Sequence, residues 1–102
     1  MLARDSYRMY DRSKVEEVVS AVRAVSTEYA VQTSEHFAGY FDELGMTVAL
    51  KSDTSDAQVR ELKDRVFAAV SRVSMPFRWI VFFQRDGEGA GVLFPDGLFT
   101  AE

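Results

Sequence analysis

The stretch from Ser55 to Gly97 constrains the fold more tightly than any other part of the chain. Between Ser55 and Ser74 the apolar residues Val59, Leu62, Val66, Phe67, Val70 and Val73 recur at steps of three and four, the repeat of one helix face. The rhythm stops at Met75-Pro76. Phe77 to Phe83 is a β-branched and aromatic run, too short and too rich in strand formers for a helix. Arg85-Asp86-Gly87-Glu88-Gly89 then carries turn chemistry, Ala90 to Phe94 returns as a strand, and Pro95-Asp96-Gly97 ends it.

Upstream, Met46-Thr47-Val48-Ala49-Leu50 reads as a short strand. Ser52-Asp53-Thr54-Ser55-Asp56 closes it and supplies an N-cap for the next helix at Ser55 or Asp56. Ser13-Lys14-Val15-Glu16 has the form of a capping box opening a first helix. Val15, Val18, Val19, Val22, Val25 and Tyr29 keep helical spacing beyond it, and Phe37, Tyr40, Phe41 and Leu44 hold nearly the same phase. A helix over 13–44 is therefore expected, with a break near Thr33-Ser34 and Gly45 as its C-cap glycine. The same residues allow another assignment. Thr27, Tyr29, Val31 and Thr33 alternate, which fits a strand over 26–33 before a second helix capped at Ser34.

The expected fold is α+β: a two-layer domain with an N-terminal helix or helix pair, then strand-helix-strand-strand, the small sheet covered by helices. Residues 1–12 are expected to be an arm or an extra helical turn, and 13–102 a single domain, a length that sustains one core. With 47% hydrophobic and 27% charged residues, the composition is that of a globular protein.

Composition also narrows function. Cysteine is absent, so no disulfide, thiolate metal site or cysteine nucleophile can form, and a cytoplasmic location is expected. The first eight residues hold no apolar signal-peptide core, and no uninterrupted apolar run exceeds five residues, so no membrane partner is expected. A net charge of −4 runs against nucleic-acid binding, where a basic face supplies most of the affinity. Arg72, Arg78 and Arg85 would have to cluster to make such a face.

Candidate chemistry is sparse. His36 is the only histidine, with Tyr40 four residues on. No serine or threonine stands in a catalytic motif with it, so a boundary imidazole explains it better than a general base does. Ser52 to Asp56 lacks the glycine a phosphate loop needs, and its aspartates repel anions. As a calcium loop it places Gln58 where glycine belongs and Asp64 where the bidentate glutamate belongs. Gly87, Gly89 and Gly91 lead into a strand, which excludes a nucleotide loop. Asp56 with Arg60 and Glu61 with Arg65 read as solvent-facing helix pairs. No metal site and no cofactor are expected.

One feature exceeds ordinary packing needs. Along the 77–83 strand Phe77, Trp79, Val81 and Phe83 face one side, and Ile80 and Phe82 the other. Helices in a two-layer domain cover one side only, so the second apolar side needs a cover of its own. Ile80 and Phe82, with Leu98 and Phe99 of the apolar tail, are the candidate interface residues. The expected function is a small non-enzymatic interaction domain that binds a protein partner and self-associates as a homodimer. The alternative is a small-molecule-binding regulatory domain, with an aromatic pocket between the sheet and the N-terminal helix at His36, Tyr40 and Trp79.

Overall fold

A computed structural model describes the backbone of residues 2–38, 41–73 and 78–100, and the side chains of residues 13–33, 43–73 and 78–100. Helix α1 (Leu2–Val25) is followed by strands β1 (Ala30–Ala38) and β2 (Phe41–Leu50), helix α2 (Asp56–Ser71), and strands β3 (Arg78–Arg85), β4 (Glu88–Leu93) and β5 (Phe99–Thr100). The strands form one sheet in sequence order, β1-β2-β3-β4-β5. β2 and β3 are parallel, joined through α2, and every other neighbouring pair is antiparallel. The α+β two-layer expectation holds, with five strands where three were expected.

The two helices cover one face. Val15, Val18, Val19 and Val22 of α1 and Val59, Leu62, Val66 and Val70 of α2 are buried against Leu44, Met46, Val48 and Leu50 of β2 and Trp79, Val81 and Phe83 of β3. The β3 alternation is the expected one, and Phe67 of α2 lies over Trp79 with ring centroids 6.3 Å apart. Phe77 lies outside the described residues.

Two local signals act as their chemistry dictates. Ser55 caps α2: its hydroxyl accepts from the Gln58 amide at 3.2 Å, and the Gln58 side chain accepts from the Ser55 amide at 2.8 Å. Asp86 and Gly87 both adopt positive φ, 56° and 78°, which gives the two-residue hairpin a twist matching its strands. A bulge between Phe83 and Gln84 shifts the β3–β4 register.

The N-terminal half differs from the expected long helix. α1 ends at Val25, the Tyr29 amide donates to the Ser26 carbonyl at 2.9 Å, and the chain enters β1 at Ala30. The alternation of Tyr29, Val31 and Thr33 prevails over the helical spacing, because pairing with β2 satisfies the backbone while burying Val31. No second helix starts at Ser34, which is paired with Gly45 inside the β1–β2 ladder. Gly45 is therefore a strand residue and not a helix cap. Ser13 lies within α1 and caps nothing, since the helix already runs from Leu2.

Candidate functional site

The sheet face turned away from the helices is the candidate site. Strand register builds it row by row. One row runs across all five strands through Gln32, Thr47, Phe82, Val92 and Thr100, none of them charged. Toward the β4–β5 turn the next row sets Gly45 beside Ile80, and a glycine there leaves the isoleucine uncovered on that side. On the other side of the Phe82 row, Ala30, Ala49, Gln84 and Gly89 are also uncharged. Charge enters only where Glu43 neighbours Arg78 at the start of β3. A solvated face usually carries charged residues at about 25–35% of its positions, interspersed in sign. Here they are confined to one end.

The turn after β4 extends the uncharged face. The Phe94 amide donates to the Leu98 carbonyl and the Gly97 amide to the Phe94 carbonyl, both at 2.9 Å, which folds Leu98 back opposite Phe94. Leu93 is fully buried on the helix side, so Phe94 continues the alternation onto the open face beside Ile80. Gly97 approaches Phe67 of α2, and Leu98 again points the other way. Phe82 and Leu98, exposed at 38% and 57%, are the two exposed large apolar side chains among the described residues, and both lie on this face. Arg78, Phe94, Pro95, Asp96 and Leu98 enclose a shallow cavity of about 340 Å³ at its end. The Asp96 carboxylate accepts from the Leu98 amide at 3.0 Å, which holds the rim of that cavity.

The expected interface set divides. Ile80, Phe82 and Leu98 share the open face, whereas Phe99 points into the helix side. Its ring meets Phe83 edge-on with centroids 5.9 Å apart, lies under the Lys63 ammonium, and occupies the space a side chain at Gly91 would need. Neighbouring residues of a strand point to opposite faces, so Leu98 and Phe99 cannot serve one surface. Val92, Phe94, Arg78 and Asp96 belong to the face and were not among the expected residues. The signal for Phe94 and Leu98 was the Pro95-Asp96-Gly97 turn, which pairs the residues flanking it.

Of the residues expected to line a ligand pocket, Trp79 alone has a described side chain. Trp79 is 6% exposed and packed on Phe67. His36 is placed in β1 opposite Glu43, its side chain outside the described residues, and Tyr40 lies outside them altogether. The segment expected to form the pocket's helical wall is a strand pair.

At the opposite end of β3, the Arg85 guanidinium donates to the Thr54 carbonyl at 2.5 Å and to the Asp56 carboxylate at 3.3 Å, and the Ser52 hydroxyl donates to the Asp86 carboxylate. These bonds stitch the β2–α2 loop to the β3–β4 hairpin. Asp56 thus pairs with Arg85, not with Arg60. Arg78 and Arg85 stand at opposite ends of an eight-residue strand, about 23 Å apart at the rise of a strand, so these two arginines form no common patch.

Among the described residues no helix is long and apolar enough to cross a membrane, and no group of three or more acidic or histidine side chains is arranged to hold a metal ion. Comparison with family models, with curated proteins and with solved structures finds no match.

Proposed function

We propose that this chain is a small non-enzymatic interaction domain that binds a protein partner, itself included, through the open face of its sheet. One observation carries the reading: Phe82 and Leu98, the exposed large apolar side chains of the described residues, lie on the same face as an uncharged row five strands wide. Solvated single apolar residues are ordinary, but two that share one uncharged sheet face favour a docking surface. A cytoplasmic setting suits a chain without cysteine, and a net charge of −4 favours protein over nucleic-acid partners.

Site-specific photo-crosslinking tests the face directly. A photoreactive amino acid at position 82 should give a covalent adduct in cells and in purified protein, and one at the exposed helix position Arg60 should not. Adducts at position 82 no more abundant than at position 60 would remove the open face as a docking surface.

A further inference from the structure

The two edges of the sheet are unequal. On one side β5 is two residues long and β4 beneath it six, lengths at which an added strand gains few bonds. On the other side β1 is nine residues long, and among the described residues it pairs with β2 alone. Those nine residues contain no proline, lysine or arginine, and the register runs from Ala30 opposite Ala49 to Ala38 opposite Phe41 without a bulge. Proline, basic side chains and bulges are the devices by which natural sheets blunt an edge, so the sequence of β1 itself leaves the edge open.

Register fixes which backbone groups face outward. Only two residues separate Ala38 from Phe41, and across so short a loop the facing residues are a hydrogen-bonded pair, because the alternative pattern would bond two adjacent loop residues to each other. In an antiparallel ladder such pairs alternate with pairs whose N–H and C=O point away from the partner strand. Counting back by twos, Ala38, His36, Ser34, Gln32 and Ala30 bond to β2, while Phe37, Glu35, Thr33 and Val31 turn their backbone groups to the outer edge. Arg23, in the last turn of α1, meets that edge at its first outward position: its Nη2 donates to the Val31 carbonyl at 3.0 Å. Val22 beside it is fully buried, which fixes the helical turn that carries the arginine.

We propose that Arg23 is an edge guard, occupying the Val31 carbonyl and so keeping a second strand from extending the sheet at β1. Its guanidinium lies where the N–H of an incoming strand would have to sit. A hydrogen bond from a charged donor holds such a carbonyl closed by a factor of about ten or more. The guanidinium keeps its charge at every accessible pH, so the guard does not titrate. The edge is a different surface from the open face, since it consists of backbone groups in the plane of the sheet and not of side chains standing on it.

Substitution at position 23 tests the guard, with strand addition read by thioflavin T fluorescence and sedimentation velocity, and with circular dichroism and a urea midpoint on every variant. Arg23→Met keeps the aliphatic stem and removes the donors. It should retain the native fold and form thioflavin-positive oligomers about tenfold faster than the native chain, the factor by which the carbonyl is freed. Arg23→Lys, which still donates, should stay within about threefold of the native rate. Adding Thr33→Lys to Arg23→Met sets a charge at the next outward position, which is exposed, and should return the rate to that of the native chain.

Ser55→Ala weakens the α2 cap and leaves β1 untouched, so it controls for lost stability alone. Oligomers that form as fast from Ser55→Ala as from Arg23→Met, at urea concentrations that equalise their stability, would overturn the guard. An Arg23→Met chain that associates no faster than the native one would overturn it as well. So would a double variant as fast as Arg23→Met, because the added strand would then lie elsewhere than on β1.

Discussion

Replacing Trp79 by alanine examines the assumption beneath everything said of the open face, namely that β3 divides its side chains between a packed side and a free one. Trp79 is 6% exposed, and its ring lies against Phe67 of α2 within the cluster that also holds Val66 and Val70. Truncation withdraws roughly 150–200 Å² of mostly apolar surface, which at about 25 cal/mol per Å² corresponds to about 4–5 kcal/mol as an upper figure. Measured core truncations of tryptophan cost about 3–5 kcal/mol, so about 4 kcal/mol is the expected loss. Against a total stability of about 5–15 kcal/mol this is a large share, and it lowers the thermal midpoint by about 16–20 °C for a domain of this length. Urea unfolding followed by circular dichroism is the suitable assay, since the substitution removes the only tryptophan fluorophore. The urea midpoint should fall with the slope unchanged. Trp79→Phe, which keeps an aromatic ring against Phe67, should recover half or more of the loss. A Trp79→Ala loss below about 1 kcal/mol, the range of ordinary surface substitutions, would refute the assignment of this side chain to the core. So would a normal urea midpoint combined with lost self-association.

Three further outcomes follow from the packing. Ser55→Ala removes the acceptor of the Gln58 amide and half of the α2 capping box, and should cost about 1 kcal/mol in the same urea assay; a neutral result would mean that water caps the helix equally well. Gly91→Ala places a methyl group where the Phe99 ring sits, and should cost about 1–3 kcal/mol while accelerating amide exchange at Phe99 and Thr100; unchanged protection of β5 would show that the ring is not seated there. Ile80→Asp should weaken whatever association the open face makes and leave the subunit folded, read as sedimentation mass with circular dichroism; unfolding that precedes any change of mass would place Ile80 inside the monomer.

Legibility in the sequence followed from whether local patterns competed. In 55–94 they did not. α2 has a capping box at one end and unbroken three-four spacing, β3 is a β-branched and aromatic run, and Asp86-Gly87 admits little besides a hairpin. In 13–44 two patterns overlap. Val15 to Val25 is helical, but Tyr29, Val31 and Thr33 satisfy a strand and Tyr29 also a continued helix, while Phe37, Phe41 and Leu44 fall at helical steps although they belong to two paired strands. Neither glycine nor proline follows Val25 to mark the helix end. The deciding term lies outside any one helical turn: β1 gains a full ladder with β2, from Ala38 opposite Phe41 out to Ala30 opposite Ala49, and that pairing settles what the local spacing leaves open. β5 escaped for a related reason, since two residues carry no period at all.

The open face shows why half a site can be read from a chain and the rest cannot. The parity of a single strand is a local property, and it placed Ile80 and Phe82 together without any knowledge of their neighbours. The absence of charge around them is different in kind. Gln32, Thr47, Phe82, Val92 and Thr100 are dispersed through the sequence among arginines, aspartates and glutamates, and only the register of four strand pairings sets them in one row. Leu98 and Phe99 illustrate the same limit in reverse: adjacency suggested a shared surface, while the turn at Pro95-Asp96-Gly97 and the backbone alternation send one outward and the other beneath Lys63. Arg78 and Asp96 are separated in sequence yet line one cavity. Uncharged across its strands and carrying Phe82 and Leu98 exposed, the face owes that character to pairings that no single segment of the chain displays.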